Sequence, residues 1–284
     1  MHLLHQRRNI VSTLRLVGAG VGAGFSELPG PETIDHIAPR PASLVDDYVR
    51  AVGGSPKAWK GQLPPHMFPQ WAWPALTQAL EGIPYDLKSV VNAGCSWTVR
   101  GPIPSDELLQ CVARVESIEE DESKALVRLS AITGPATQDD ALEATLTAFI
   151  PRKKAGGSKK KSSNRVRVPL GARPIFERRL KPELGRRFAA LTGDPNPIHW
   201  LAPYARMAGF KGPILHGFCT AAIAAEALIA NRYAGDVHKL KSFSARFTRP
   251  VRLPSRIRVF VHGSDIYVGS QPGGPALLTG AFNG

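Results

Sequence analysis

The feature that most constrains this chain is a degenerate internal repeat. A gapless shift of 150 residues lays "PPHMFPQWAWPALTQAL" over "ILHGFCTAAIAAEALIA", placing His66 on His216, Phe68 on Phe218, Ala72 on Ala222 and Ala75 on Ala225. The same shift sets "WTVRGPIPS" on "FTRPVRLPS", matching Thr98 with Thr248 and Pro104-Ser105 with Pro254-Ser255. One constant offset across two separated segments points to a supersecondary unit that occurs twice.

The second copy shows what the unit contains. "KPELGRRFAALTG" has helical spacing, and "GPILHGFCTAAIAAEALIANRYAG" is a long Ala-rich helix predicted to end at Gly235. The runs "KLKSFSARFTRPV", "SRIRVFVHG", "DIYVGS" and "ALLTGAF" then read as strands. A long apolar helix followed by several strands predicts an antiparallel sheet wrapped around a central helix. The expected class is α+β, with two such sheets in tandem.

Charge separates the copies. Residues 152 to 167, "RKKAGGSKKKSSNRVR", hold eight Lys or Arg and no acid, leaving +5 of the net +13 to the rest of the chain. That concentration reads as a solvated Gly/Ser/Lys linker over 152–164. It divides an N-terminal extension (1–30) and a first domain (31–151) from a second domain (165–284). No aromatic residue interleaves with the lysines, so no specific nucleic-acid partner is expected. Three widely spaced cysteines, Cys95, Cys111 and Cys219, suggest reduced, buried side chains. No run approaches the ~18 uncharged apolar residues of a membrane span, and the N-terminus lacks a convincing cleavage site. A cytoplasmic location is expected.

The polar residues concentrate in "LTGDPNPIHW", residues 191–200. Pro195 and Pro197 fix their own φ and bias their predecessors away from helix. Asp194, Asn196 and His199 are thereby held on a stiff connection. In the first copy, at an offset of 140, Gly54, Pro56 and Trp59 stand at these three places, and about ten following residues are missing. A turn needed only for folding has no reason to differ in its ionisable positions. A carboxylate beside an imidazole can share one water as an acid/base pair. Downstream, "GPILHGF" opens the long helix, so the Gly217 N–H lies at a helix N-terminus that favours negative charge. His216 is read as a packing or hydrogen-bonding residue at that helix start, because its counterpart His66 occurs in the copy without the pair.

"FAALTGDPNPIH" followed by "GPILHGF" resembles the hydratase-2 motif of MaoC-like (R)-specific enoyl-CoA hydratases and dehydratases. Phe188 stands where tyrosine is common. The resemblance covers the second half, "ARFTRPVRLPSRIRV" included. The first half resembles the degenerate N-terminal hot dog of two-domain members. This implies a double hot dog, in which Asp194 and His199 activate water, Asn196 supports them and the Gly217 amide binds the thioester oxygen. It implies a hydro-lyase acting on trans-2-enoyl-CoA and (R)-3-hydroxyacyl-CoA, in fatty acid metabolism. The expected partner is acyl-CoA, or an acyl-carrier-protein thioester, with room for a homodimer. Coenzyme A would enter as part of the substrate; no metal or separate cofactor is called for.

Two alternatives are kept: a hot-dog thioesterase and a non-catalytic acyl-CoA-binding protein. "GAGVGAG" at 18–24 is not a dinucleotide-binding turn, because "FSELPGPET" rather than a helix follows it. Trp59, Trp71, Trp73 and Trp97 either pack the first core or line an acyl pocket.

Overall fold

The computed structural model describes residues 2–18, 20–87, 90–152 and 166–284. All but the first residue of the expected linker therefore lies outside the described residues. Ten strands form one antiparallel sheet in the order β1-β3-β4-β5-β2-β7-β10-β9-β8-β6. The first five are β1 (Thr33–Ile37), β2 (Val91–Val99), β3 (Leu109–Glu120), β4 (Lys124–Pro135) and β5 (Leu142–Pro151). The others are β6 (Arg173–Leu180), β7 (Ser242–Phe247), β8 (Ser255–His262), β9 (Asp265–Gly269) and β10 (Ala276–Asn283). Read from either edge, the order is the same, so the repeat in sequence becomes a pseudo-twofold in space. The two expected sheets are five strands each and join edge to edge through β2 and β7.

That join is antiparallel, with Cys95 opposite Ala245 and Trp97 opposite Phe243. The two rings stack with centroids 4.5 Å apart, a contact worth about 0.5–1.5 kcal/mol beyond area burial. Pairing the two inner strands also removes one exposed edge from each half.

The helices are α1 (Leu3–Gly18), α2 (Ala42–Val52), α3 (Phe68–Leu80), α4 (Glu183–Thr192), α5 (Ala202–Met207) and α6 (Gly217–Arg232). In α6 every residue from Cys219 to Ile229 is buried. A helix apolar all round belongs in a core, and alanines let it lie close to the sheet. Its counterpart α3 carries Trp71, buried with Trp59 and Trp97 in the common core. α6 ends at Arg232, short of the predicted Gly235, where Tyr233 closes it. All three cysteines are free and buried. No helix among the described residues is long and apolar enough to cross a membrane.

The repeat extends to the loops. α2 and α4 each end on a left-handed glycine, Gly53 (φ 94°) and Gly193 (φ 78°). Each is followed by a short 3-10 turn, Pro56–Trp59 in the first copy and Pro197–His199 in the second. α5 has no helical counterpart in the first copy.

Candidate active site

The loop is built from α4 outward. Gly193 takes the left-handed conformation that a side chain disfavours, and its N–H donates to Ala189 O (2.8 Å) to close the helix. The Asn196 N–H donates to Asp194 Oδ1 (3.0 Å), and Asn196 Oδ1 accepts from the Ile198 N–H (3.2 Å). These are side-chain turns that substitute for helix bonds. They consume Oδ1 of Asp194 and leave Oδ2 to face inward. Asn196 itself is exposed; its contribution is to shape the turn.

His199 is buried. Its Nδ1 lies 2.8 Å from the Ile214 carbonyl, which can only accept, so Nδ1 carries the proton and Nε2 presents a lone pair. The Ile214 N–H donates to Ile198 O (3.1 Å), fastening the same two segments from the other side. The backbone of His199 lies so close to Gly185 of α4 that a β-carbon there would sit 2.0 Å from its carbonyl oxygen. The backbone of His199 and the Nδ1 edge of its ring are therefore both held, and Nε2 is left to react.

His199 Nε2 is 3.8 Å from Asp194 Oδ2. Two acceptors at this separation do not bond to each other, but one water can donate to both. Burial pulls the His199 pKa below its ordinary 6.5, against the opposing pull of the Asp194 charge and the Ile214 hydrogen bond. The ring is thus neutral, and a base, near neutral pH.

His216 belongs to this cluster, which sequence reasoning missed. Its ring stacks on His199 with centroids 3.5 Å apart, and its Nε2 lies 3.6 Å from Asp194 Oδ2. It is 3 % exposed, and neither ring nitrogen has a hydrogen-bond partner among the described residues. Packing or hydrogen bonding at the helix start was the expected role; the ring packs, but against His199, and makes no side-chain hydrogen bond among the described residues. Burial, with the neighbouring His199, drives its pKa well below 6.5. The signal in sequence was its place in "LHGF", directly before Gly217.

Asp194, His199 and His216 are also the one group among the described residues with potential metal-ligand atoms this close, within 4.8 Å. The ring planes differ by only 23°. Stacked rings hold their lone pairs side by side and cannot both aim at one ion, so a shared cation fits poorly.

Gly217 opens α6 immediately after His216, where its N–H has no intrahelical acceptor. A β-carbon on Gly217 would lie 2.7 Å from the Phe247 ring. Cys219, two residues further, is fully buried with its thiol pushed up to about 12, which makes it inert.

The vacated counterpart in the first copy is not empty. Trp59 donates from Nε1 to Glu226 Oε1 (2.8 Å), and His66 Nε2 lies 3.0 Å from the same oxygen. A β-carbon on Gly54 would sit 2.3 Å from the Glu226 carboxylate. The central helix of the second copy thus places a buried carboxylate beside the positions where the first copy lacks its own.

Residues 164–272 match the family described as MaoC like domain. The chain is 23% identical over 180 residues to a probable enoyl-CoA hydratase 2 of Dictyostelium discoideum, covering 62% of this chain and 61% of the relative. It is 30% identical over 164 residues to 3-hydroxyacyl-thioester dehydratase X of Mycobacterium tuberculosis, covering 58% and 56%. The aligned segments thus span about three fifths of these relatives' lengths. In fold the chain is similar to HtdX of Mycobacterium tuberculosis, with TM-score 0.71, 24% identity and coverage of 88% and 99%. It is also similar to a protein of the same organism described as having a double hotdog fold, with TM-score 0.54, 12% identity and coverage of 92% and 97%.

Proposed function

We propose that this chain, a member of the MaoC-like dehydratase family, adds water across a trans-2-enoyl thioester to give the (R)-3-hydroxyacyl product, or catalyses the reverse. The observation that carries the reading is the convergence of Asp194 Oδ2 and His199 Nε2, 3.8 Å apart so that one water beside them can reach both, near the Gly217 N–H that opens α6. A water held by both groups gives its proton to His199 Nε2 as its oxygen attacks C3. The π pair of the C2=C3 double bond shifts to C1–C2 and the carbonyl π pair moves onto the thioester oxygen, where the Gly217 N–H and the α6 dipole stabilise the enolate. The proton returns from the Asp194–His199 pair to C2, so nothing is consumed but water. His216, neutral and buried, holds the face of the imidazole without adding charge. Asn196 acts through the turn that directs Asp194.

Coenzyme A is proposed as the carrier, within the substrate and not as a separate cofactor, and acyl-carrier-protein thioesters remain within the same chemistry. The test is loss of enoyl absorbance with crotonyl-CoA beside a free-thiol assay. Hydration bleaches the conjugated thioester and releases no thiol. Thiol release would mark a thioesterase, and no change in either signal a binder.

The acid limb of kcat/KM follows from His199. The base must be neutral, and its folded pKa is lowered by burial. Activity should therefore persist as pH falls through 6.5 and decline only below it. A pH–rate profile whose acid limb has its midpoint at or above 6.5 would contradict His199 as the base.

A further inference from the structure

The helix α1 belongs to neither copy of the repeat, yet two of its side chains end at the catalytic loop. Gln6 and Asn9 are buried, although Arg7 and Arg8 between them are exposed. Asn9 uses both amide hydrogens, one on Thr192 O (2.7 Å) and one on Gln70 O (2.7 Å). Gln6 donates to Leu191 O (2.7 Å) and accepts from the Gln70 amide (3.0 Å). Leu191 and Thr192 are the last residues of α4, whose carbonyls have no partner within the helix. Gly193 follows, and a β-carbon on it would lie 2.8 Å from Asn9 Cβ and 3.1 Å from Gln6 Cβ. α1 therefore rests against the residue just before Asp194 and ties it to α3 of the other copy.

The first copy solves the same problem differently. Ala51, the counterpart of Leu191, accepts from Arg178 of β6 (2.8 Å), whose Nη1 also lies against Gly53. The added helix thus serves the loop that carries ionisable groups, while the silent loop is held from within the sheet.

Resting on the hydration reading, we propose that α1 is a strap that positions the catalytic loop, with Asn9 and Gln6 as its positioning residues. The separation of Asp194 Oδ2 from His199 Nε2 depends on where α4 ends, because only three residues, Asp194 to Asn196, lie between Gly193 and the 3-10 turn that carries His199. Donors on the last two α4 carbonyls fix that end. Neither residue touches the substrate; both act through Asp194.

The test compares Asn9→Asp, which keeps shape but turns a carboxylate toward two carbonyls, with Leu16→Ala, which removes buried packing about two turns beyond Asn9 and leaves the Gln6 and Asn9 amides in place. Asn9→Asp should lower kcat about tenfold or more with KM for crotonyl-CoA within about twofold, as expected when a reacting group is displaced but substrate contacts remain. Leu16→Ala should lower Tm and leave kcat of the folded protein unchanged. Gln6→Met in the same assay should also lower kcat, and it decides the matter if Asn9→Asp does not fold. Hydrogen exchange at the Asn196, Ile198 and His199 amides supplies a readout independent of turnover. It should quicken in Asn9→Asp and not in Leu16→Ala. Unchanged kcat and exchange in the Asn9 and Gln6 variants would overturn the strap, as would an equal loss of kcat in Leu16→Ala. An inactive wild type whose loop still responds in exchange would instead defeat the hydration reading and leave the strap standing.

Discussion

Asp194→Asn and His199→Gln should each lower kcat by two orders of magnitude or more, the range of lost general acid/base catalysis. Asn at 194 keeps the oxygen that accepts from the Asn196 N–H, so the turn survives. It loses the charge, and its amide can donate to His199 Nε2 and occupy the lone pair that receives the proton. Gln at 199 can still reach the Ile214 carbonyl but offers no base. Neither change removes much apolar area, so binding of a non-reactive hydroxyacyl-CoA analogue should stay within a few-fold. Groups that work as one unit are not additive, and the double variant should therefore be little worse than either single one. A turnover within tenfold of wild type in either variant, with the fold verified, removes the acid/base assignment.

The parts of this site visible in sequence are those encoded locally. "GDPNPIH" announces two fixed prolines and a stiff connection carrying Asp194, Asn196 and His199; the left-handed Gly193 and the turn capped by Asn196 are what the structure adds. The strands after α6 are likewise marked by alternation, and the repeat offset anticipates which residues become symmetry mates. What sequence did not show is juxtaposition across the chain. The stacking of His216 on His199 depends on a hydrogen bond from one loop to the Ile214 carbonyl of another. Glu226 sits in an Ala-rich helix, where nothing local reveals that its carboxylate faces Trp59 and His66. Gln6 and Asn9 have no pattern of their own, because their partners are main-chain carbonyls some 180 residues away. β6 was also unmarked, since its "RPIFERRL" lies at the sheet edge with every residue but Leu180 exposed or half-buried.

Glu226→Ala should be among the most destabilising single substitutions in the chain. The carboxylate is buried, and one of its oxygens accepts from Trp59 Nε1 and meets His66 Nε2. Removing it leaves two buried polar groups from the other copy without their partner and opens space beside Gly54. Breaking a buried pair from one side costs about 3–5 kcal/mol, which in a chain of this size lowers Tm by on the order of 10 °C. Replacing the whole cluster, with Glu226→Leu, His66→Leu and Trp59→Phe together, should cost less than Glu226→Ala alone, because no polar group is then stranded. The cluster also bears on stoichiometry. Gly54, Pro56 and Trp59 supply no acid or base, and Glu226 occupies the room where a first-copy carboxylate would need to stand. Titration with a tight-binding hydroxyacyl thioester analogue should give one equivalent per chain. A Tm for Glu226→Ala within a degree or two of wild type would show that the cluster stabilises little. Two equivalents bound would show that the first copy holds a working site despite it.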